Sequence, residues 1–169
     1  EAESERRIGL DRPSYVYPLF EQALRISAGR TIAEHAEHMG GLWSAFSEVA
    51  ATNPHAWTRR AYTAAEVAKP SDDNRWIATP YPKFLNSNNM VDQGAALILC
   101  SAEAAERLGV PRSQWVFPHS GTESHDTDAI AARGALDRSP AIRIGARRAL
   151  ELARIGIDDV AFLDVYSCF

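Results

Sequence analysis

Gly94-Ala-Ala-Leu-Ile-Leu-Cys100 is a short run, apolar all round, preceded by the polar turn Asn86-Ser-Asn-Asn89 and followed by a helix-capping residue, Ser101. A run apolar at every position, not at every second one, reads as a strand buried on both faces. Gly109 ahead of Pro111 stops the helix that Ser101 opens, so run and helix make one β-α step. Trp115-Val-Phe117 reads as another strand. Ser139-Pro140 opens a helix to Arg154 with Gly156 as its stop, and Val160 to Val165 is the next strand. This alternation predicts the buried sheet of an α/β domain.

Upstream, the pattern is helical. Residues 1–14 are charged with little periodicity and read as linker or a mobile entry segment. Within Tyr15–Ser27, Leu19, Phe20, Ala23, Leu24 and Ile26 recur at helical spacing after Pro18, which is placed in the first turn. Thr31 with Glu34 and Thr63 with Glu66 are capping boxes, in which each side chain satisfies the other residue's exposed backbone N–H. The first opens a long helix through Met39, Leu42, Trp43, Phe46 and Val49 that ends at Asn53-Pro54. The second opens a shorter helix ahead of a loop, Lys69 to Asp73, and Arg75 to Pro82 is extended and marked by prolines. The expected organisation is a linker over 1–14, a mainly helical part over 15–74 and an α/β part over 75–169.

Composition fits an ordered globular chain: 169 residues, 46% hydrophobic and 24% charged, excluding a disordered tail and a coiled coil. Eighteen Lys and Arg against 22 Asp and Glu give a formal charge of -4, too acidic for a protein whose affinity rests on phosphate neutralisation, so no nucleic-acid partner is expected. No apolar run approaches the roughly 20 residues of a membrane span, and Glu1 to Arg12 is charged where a signal peptide is apolar, so a soluble, intracellular chain is expected. Cys100 and Cys168 lie in apolar segments and read as single buried, reduced thiols. The first residue is Glu, not Met, and the last ten, Val160 to Phe169, are apolar. That reads either as a segment whose fold continues beyond it or as a terminal strand docked in its own sheet.

Candidate chemistry is sparse. His119-Ser-Gly-Thr-Glu-Ser-His125-Asp126 follows a predicted strand, where α/β folds place ligand sites; it reads as a metal or base site or as a hydrogen-bonded surface loop. His35 and His38 share a helix face without a third ligand. Asn86 to Asn89 offers donors and acceptors suited to a ligand's polar groups, and an Asx turn explains it equally. Cys168 has no adjacent basic residue to activate it. Nucleotide fingerprints, phosphate loops and metal motifs are absent, so no metal is expected.

The segment Asn86 to Ser101, with its Asp92 to Ala96 core, resembles the thiolase stretch Asn-Ala-Ser-Gly-x-Asn-Asp-Gly-Ala-Ala-Ala. Ser139-Pro-Ala-Ile-Arg143 is similar to the thiolase Gly-Pro-x-x-Ala, and Gly156-Ile-Asp-Asp-Val160 to its Gly-Leu-x-x-x-Asp-Ile turn. Asp164-Val-Tyr-Ser-Cys-Phe169 looks like Glu-x-Asn-Glu-Ala-Phe, and closer to the Glu-x-His-Asp-Cys-Phe of the sterol-carrier-protein thiolases. Tyr17-Pro, Glu34-His35, Asn53-Pro54, Asn74-Arg75 and Pro80-Tyr81 are similar to the thiolase-like subfamily labelled acetyl-CoA acetyltransferase.

The resemblance implies a thiolase-like fold fragment, the helical loop domain plus the start of the second α/β half, with the rest of a thiolase chain as its partner. It implies acyl-CoA chemistry, Claisen condensation or thiolysis, in the cytoplasm. Coenzyme A or acyl-CoA would be the substrate, with no covalently bound cofactor. The nucleophilic cysteine, its histidine base and the second acid/base cysteine would lie outside these residues, so this stretch alone would be inactive. Tyr166 stands at the oxyanion-hole position and Ser167 replaces its acidic neighbour. Asn86, Ser87 and Asn88 stand at the coenzyme A pantetheine segment, and Cys168 at a structural position. A phenol can donate the hydrogen bond an oxyanion needs, but its bulk can also block a pocket. The alternative is therefore a catalytically inactive thiolase-like acyl-CoA-binding or scaffold protein. A homodimer is an assembly the family allows.

Overall fold

The chain is described here from a computed structural model covering residues 2–88 and 90–166. Its contacts divide it into two units: Glu1–Ser87 with His125–Ala141 and Asp164–Phe169, and Asn88–Ser124 with Ile142–Leu163.

The first unit is built on helices. Residues 1–14, read above as linker, contain a short helix, α1 (Glu3–Arg7). Its Glu5 is buried, one carboxylate oxygen accepting from the Ala131 N–H at 2.8 Å and the other from the Ala2 N–H at 2.9 Å. These two bonds, the Ala131 bond foremost, hold the carboxyl below its ordinary pKa. Charge periodicity could not announce this anchor, because its main partner is 126 residues away. Helix α2 (Pro13–Ser27) starts at Pro13, so Pro18 sits inside it, not in the first turn as its spacing predicted. Pro13 supplies the preset φ that a first turn favours, whereas Pro18 leaves one carbonyl of the preceding turn without its usual donor.

Both capping boxes form as read. Thr31 opens α3 (Ile32–Thr52) and Thr63 opens α4 (Ala64–Ala68), each hydroxyl accepting an N3 backbone N–H at 3.2 Å. Asn53 ends α3 in an extended conformation. Ser44 and Ser47 of α3 clasp the main chain of Tyr62: the Ser44 hydroxyl donates to its carbonyl at 2.7 Å, and Ser47 Oγ accepts its N–H at 2.8 Å. The proline-marked segment forms a hairpin of β1 (Trp76–Ala78) and β2 (Tyr81–Pro82), antiparallel, with Trp76 opposite Pro82 and Ala78 opposite Tyr81. Met39, Val67, Tyr81 and Leu85 form its core, with Trp43 and Tyr62 packed against them.

Gly40 lets α3 and α4 approach. A β-carbon there would press into the Ala64 carbonyl oxygen and meet Ala68 Cβ at 3.0 Å, whereas one at Gly41 meets nothing within 4 Å. Alanine favours a helix over glycine by up to about 1 kcal/mol, so Gly41→Ala is expected to raise stability by about 0.5 kcal/mol. Gly40→Ala is expected to lower it by about 2 kcal/mol, because overpacking against backbone outweighs propensity. Urea titrations of the two variants check the opposite signs.

In the second unit, Ser101 caps α5 (Ala102–Arg107), its hydroxyl accepting the Ala104 N–H at 3.1 Å, and Gly109 follows at φ 69°. Helix α6 (Pro140–Ala153) ends one residue earlier than read, and Arg154 itself takes the left-handed conformation at φ 57° ahead of Gly156. Ser120 and Thr122 strap their loop along α6 by donating to the Ala149 and Gly145 carbonyls at 2.8 and 2.9 Å.

The three predicted strands behave differently from their reading. Residues 94–100, 115–117 and 160–165 carry neither helix nor ladder pairing, and the apolar side chains of Leu97, Ile98, Leu99, Val116 and Phe162 are exposed, Leu97 by 93%. Cys100, expected inside, is a free and exposed thiol. An apolar run becomes a strand only when neighbouring strands take its N–H and C=O groups, and these three do not pair with one another. Among the described residues, no helix is long and apolar enough to cross a membrane.

Candidate functional site

The stretch from Asn74 to Met90 carries most of the residues singled out by motif. Asn74 is fully buried and organises it. The two hydrogens of its Nδ2 group are shared among the carbonyls of Glu66, Val67 and Lys69, each at 3.0 Å, closing the C-terminal end of α4. Its Oδ1 accepts the Phe84 N–H at 2.8 Å, which fixes the short 3-10 turn Lys83–Leu85. Asn86 ends that turn. Its Nδ2 group donates to the Pro82 carbonyl at 2.8 Å, while its Oδ1 is buried without a hydrogen-bond partner.

Ser87 is exposed and closes this stretch of the first unit; Asn88 opens the second. Asn88 Oδ1 accepts the Met90 N–H at 3.0 Å, an Asx turn. Asn89 lies outside the described residues, as do Ser167, Cys168 and Phe169. Tyr166 is 86% exposed.

The polar loop His119–Asp126 divides by role. Asp126 accepts from the Ser139 hydroxyl, from the Ala141 N–H at 3.2 Å, and lies 3.9 Å from the Arg133 guanidinium. The Ser139 bond foremost, then the Ala141 N–H and the charge of Arg133, hold its carboxyl below its ordinary pKa. It therefore caps α6 from a distance, satisfying the Ala141 N–H, which has no partner within the helix. Among the described residues, no three His, Cys, Asp or Glu side chains gather as a metal would require.

A second polar centre escaped the sequence reading. His35 and Tyr81 are buried, and both reach Glu21 of α2: His35 Nε2 lies 2.6 Å from Oε1, and the Tyr81 hydroxyl donates to Oε2 at 2.5 Å. Arg30 Nη1 stands 3.5 Å from His35 Nδ1. A carboxylate only accepts, so the short contact is donated by His35 Nε2–H to Glu21. Of this set, the motifs pointed to His35 and Tyr81, but nothing local indicates Glu21, which lies 60 residues from Tyr81.

No protein-family model matches the chain. Over 168 residues it is 27% identical to an acetyl-CoA acetyltransferase of Methanocaldococcus jannaschii, an alignment covering 99% of this chain and 40% of that protein. The crystal structure of a monomeric SCP2-thiolase-like protein type 1 from Mycobacterium smegmatis matches it with a TM-score of 0.87 at 36% identity, over 99% of this chain and 36% of that one. The chain thus spans about two fifths of the length of the curated relative and somewhat over a third of the structural one. Its fold is the α/β, thiolase-like one that the motifs implied, and a neighbour described as monomeric lends no support to a homodimer. The chain thus has a thiolase-like fold and is similar in sequence to an acetyl-CoA acetyltransferase and to an SCP2-thiolase-like protein.

Proposed function

We propose that this chain is part of a thiolase-type acyltransferase acting on acyl-CoA in the cytoplasm, by Claisen condensation or thiolysis. On this reading residues 15–74 are the helical loop domain and 75–169 open the second half. The nucleophilic cysteine and its histidine base are supplied by polypeptide outside these 169 residues. The observation that carries the reading is the Asn74-anchored turn, which ends on Asn86 with a buried amide oxygen that has no donor. Such an acceptor costs about 1–3 kcal/mol while unpaired, and an amide N–H of the pantetheine arm is the kind of donor that relieves it. Ser87 and Asn88 follow as further polar contacts for that arm. The exposed apolar runs fit the same reading, as strands whose neighbours belong to the rest of a thiolase chain.

The test is an acyl-exchange assay on the complete gene product, with acetyl-CoA and labelled coenzyme A and mass detection of an acyl-cysteine. Exchange and a mass shift are the expected result. Their joint absence, with the catalytic cysteines intact, removes the enzymatic reading. Tyr166 favours a second one: at the oxyanion-hole position it places a phenol, 86% exposed, where the family motif has an amide or imidazole. If the protein is an inactive acyl-CoA binder, Tyr166→Asn is expected to raise turnover from background. If it is active and uses the phenol, Tyr166→Ala lowers turnover by about 100-fold, the scale of one lost oxyanion donor.

A further inference from the structure

A groove of about 390 Å3 runs between α2 and α3, wholly within the first unit. Arg30 and His38 are among its polar lining residues, and Leu24, Met39, Leu42 and Trp43 are among its apolar ones. From His35 to Trp43 the helix advances about 12 Å, roughly the length of an extended eight-carbon chain. Leu24 and Leu42 remain about half exposed on its walls.

Charge decides what fits. Three carboxylates on the surrounding elements are already engaged. Glu21 holds His35 and Tyr81, Glu34 holds the Thr31 N–H and hydroxyl, and Asp137 holds the Ser27 hydroxyl and Arg138. Arg30, half-buried, has no carboxylate within ion-pair distance among the described residues, although its charge helps to hold the Glu34 carboxyl below its ordinary pKa; its side chain meets the His35 ring. A guanidinium with no bonded carboxylate, lining a groove with apolar side chains, suits one carboxylate with a hydrocarbon tail. It suits a phosphate dianion less well, since that calls for more than one cation.

We propose that this groove binds a medium-chain monocarboxylate, its head on Arg30 and its tail along Leu24, Met39, Leu42 and Trp43. The site is independent of the acyl-transfer reading, because it needs neither coenzyme A nor a nucleophile. Calorimetric titration of the full chain with octanoate, hexanoate and octan-1-ol, without coenzyme A, therefore tests it alone. Octanoate is expected to bind, and hexanoate about tenfold more weakly, since each buried methylene is worth about a three- to fourfold change. Octan-1-ol is expected to lose at least about tenfold with the charge-assisted bond.

Arg30→Gln should weaken octanoate by about tenfold, whereas Arg30→Lys, which keeps the cation, stays within about threefold. Leu42→Glu should abolish binding, with circular dichroism confirming that each variant retains its helices. No octanoate binding at millimolar concentration overturns the proposal. So does octan-1-ol binding as tightly as octanoate, or Arg30→Gln binding as tightly as the parent.

Discussion

Asn74→Ala is expected to cost about 4 kcal/mol of stability, read as a lower urea midpoint at unchanged slope. One amide holds three carbonyls at the end of α4 and the Phe84 N–H, all from a side chain with no exposure to water. Removing it leaves those groups without this partner, the Val67 carbonyl in a buried place, and α4, five residues long, is too short to persist without tertiary support. Asn74→Asp keeps the shape but turns an oxygen toward the three carbonyls, so it should be at least as damaging as alanine. If Asn74→Ala costs under about 1 kcal/mol, the amide is not what fixes the Lys83–Leu85 turn, and the placement of Asn86 needs another cause.

The second large effect belongs to Glu21→Ala, expected to cost about 3 kcal/mol, because it removes the one carboxylate that accepts from both the buried His35 Nε2–H and the buried Tyr81 hydroxyl. Glu21→Gln separates hydrogen bonding from charge. Its amide oxygen still accepts from His35, its NH2 group donates to the phenol oxygen once that hydroxyl turns, and the loss should fall to about 1 kcal/mol. Equal losses for the two variants would show that carboxylate charge, not donor satisfaction, is what α2 contributes. Chemical denaturation of both beside the parent decides between them.

These two residues also mark where reading the sequence stops. The capping boxes at Thr31 and Thr63 were legible because donor and acceptor lie three residues apart and the geometry is local. The Ser101 cap and the Asn53 stop were legible for the same reason. Asn74 was visible only as a motif letter, since its partners lie five to ten residues away on another element. Glu21 and Glu5 carry no signal at all, because an acidic residue in an exposed-looking pattern is usually solvated, and what buries these two comes from 60 and 126 residues away. The runs at 94–100 and 160–165 show the opposite case: their composition is legible, but composition names no pairing partner. At the candidate site, sequence located Asn86 to Asn88 but not the unpaired oxygen of Asn86, which exists only because the Lys83–Leu85 turn points the NH2 group of that side chain at Pro82.

Leu97, Ile98, Leu99, Val116 and Phe162 face water along main chain that belongs to no ladder. Each such segment can template a segment of another molecule, because main-chain N–H and C=O groups recognise extended backbone irrespective of its sequence. That encounter is second order in protein. The helices and the β1–β2 hairpin, which satisfy themselves within one chain, are first order. Dilution therefore acts on the two parts of this molecule differently: it leaves the helical unit as stable as before while removing the partners that the apolar runs would recruit. For these 169 residues without the neighbouring strands proposed above, concentration thus governs whether the chain remains dispersed, and temperature or denaturant governs whether its helices remain folded.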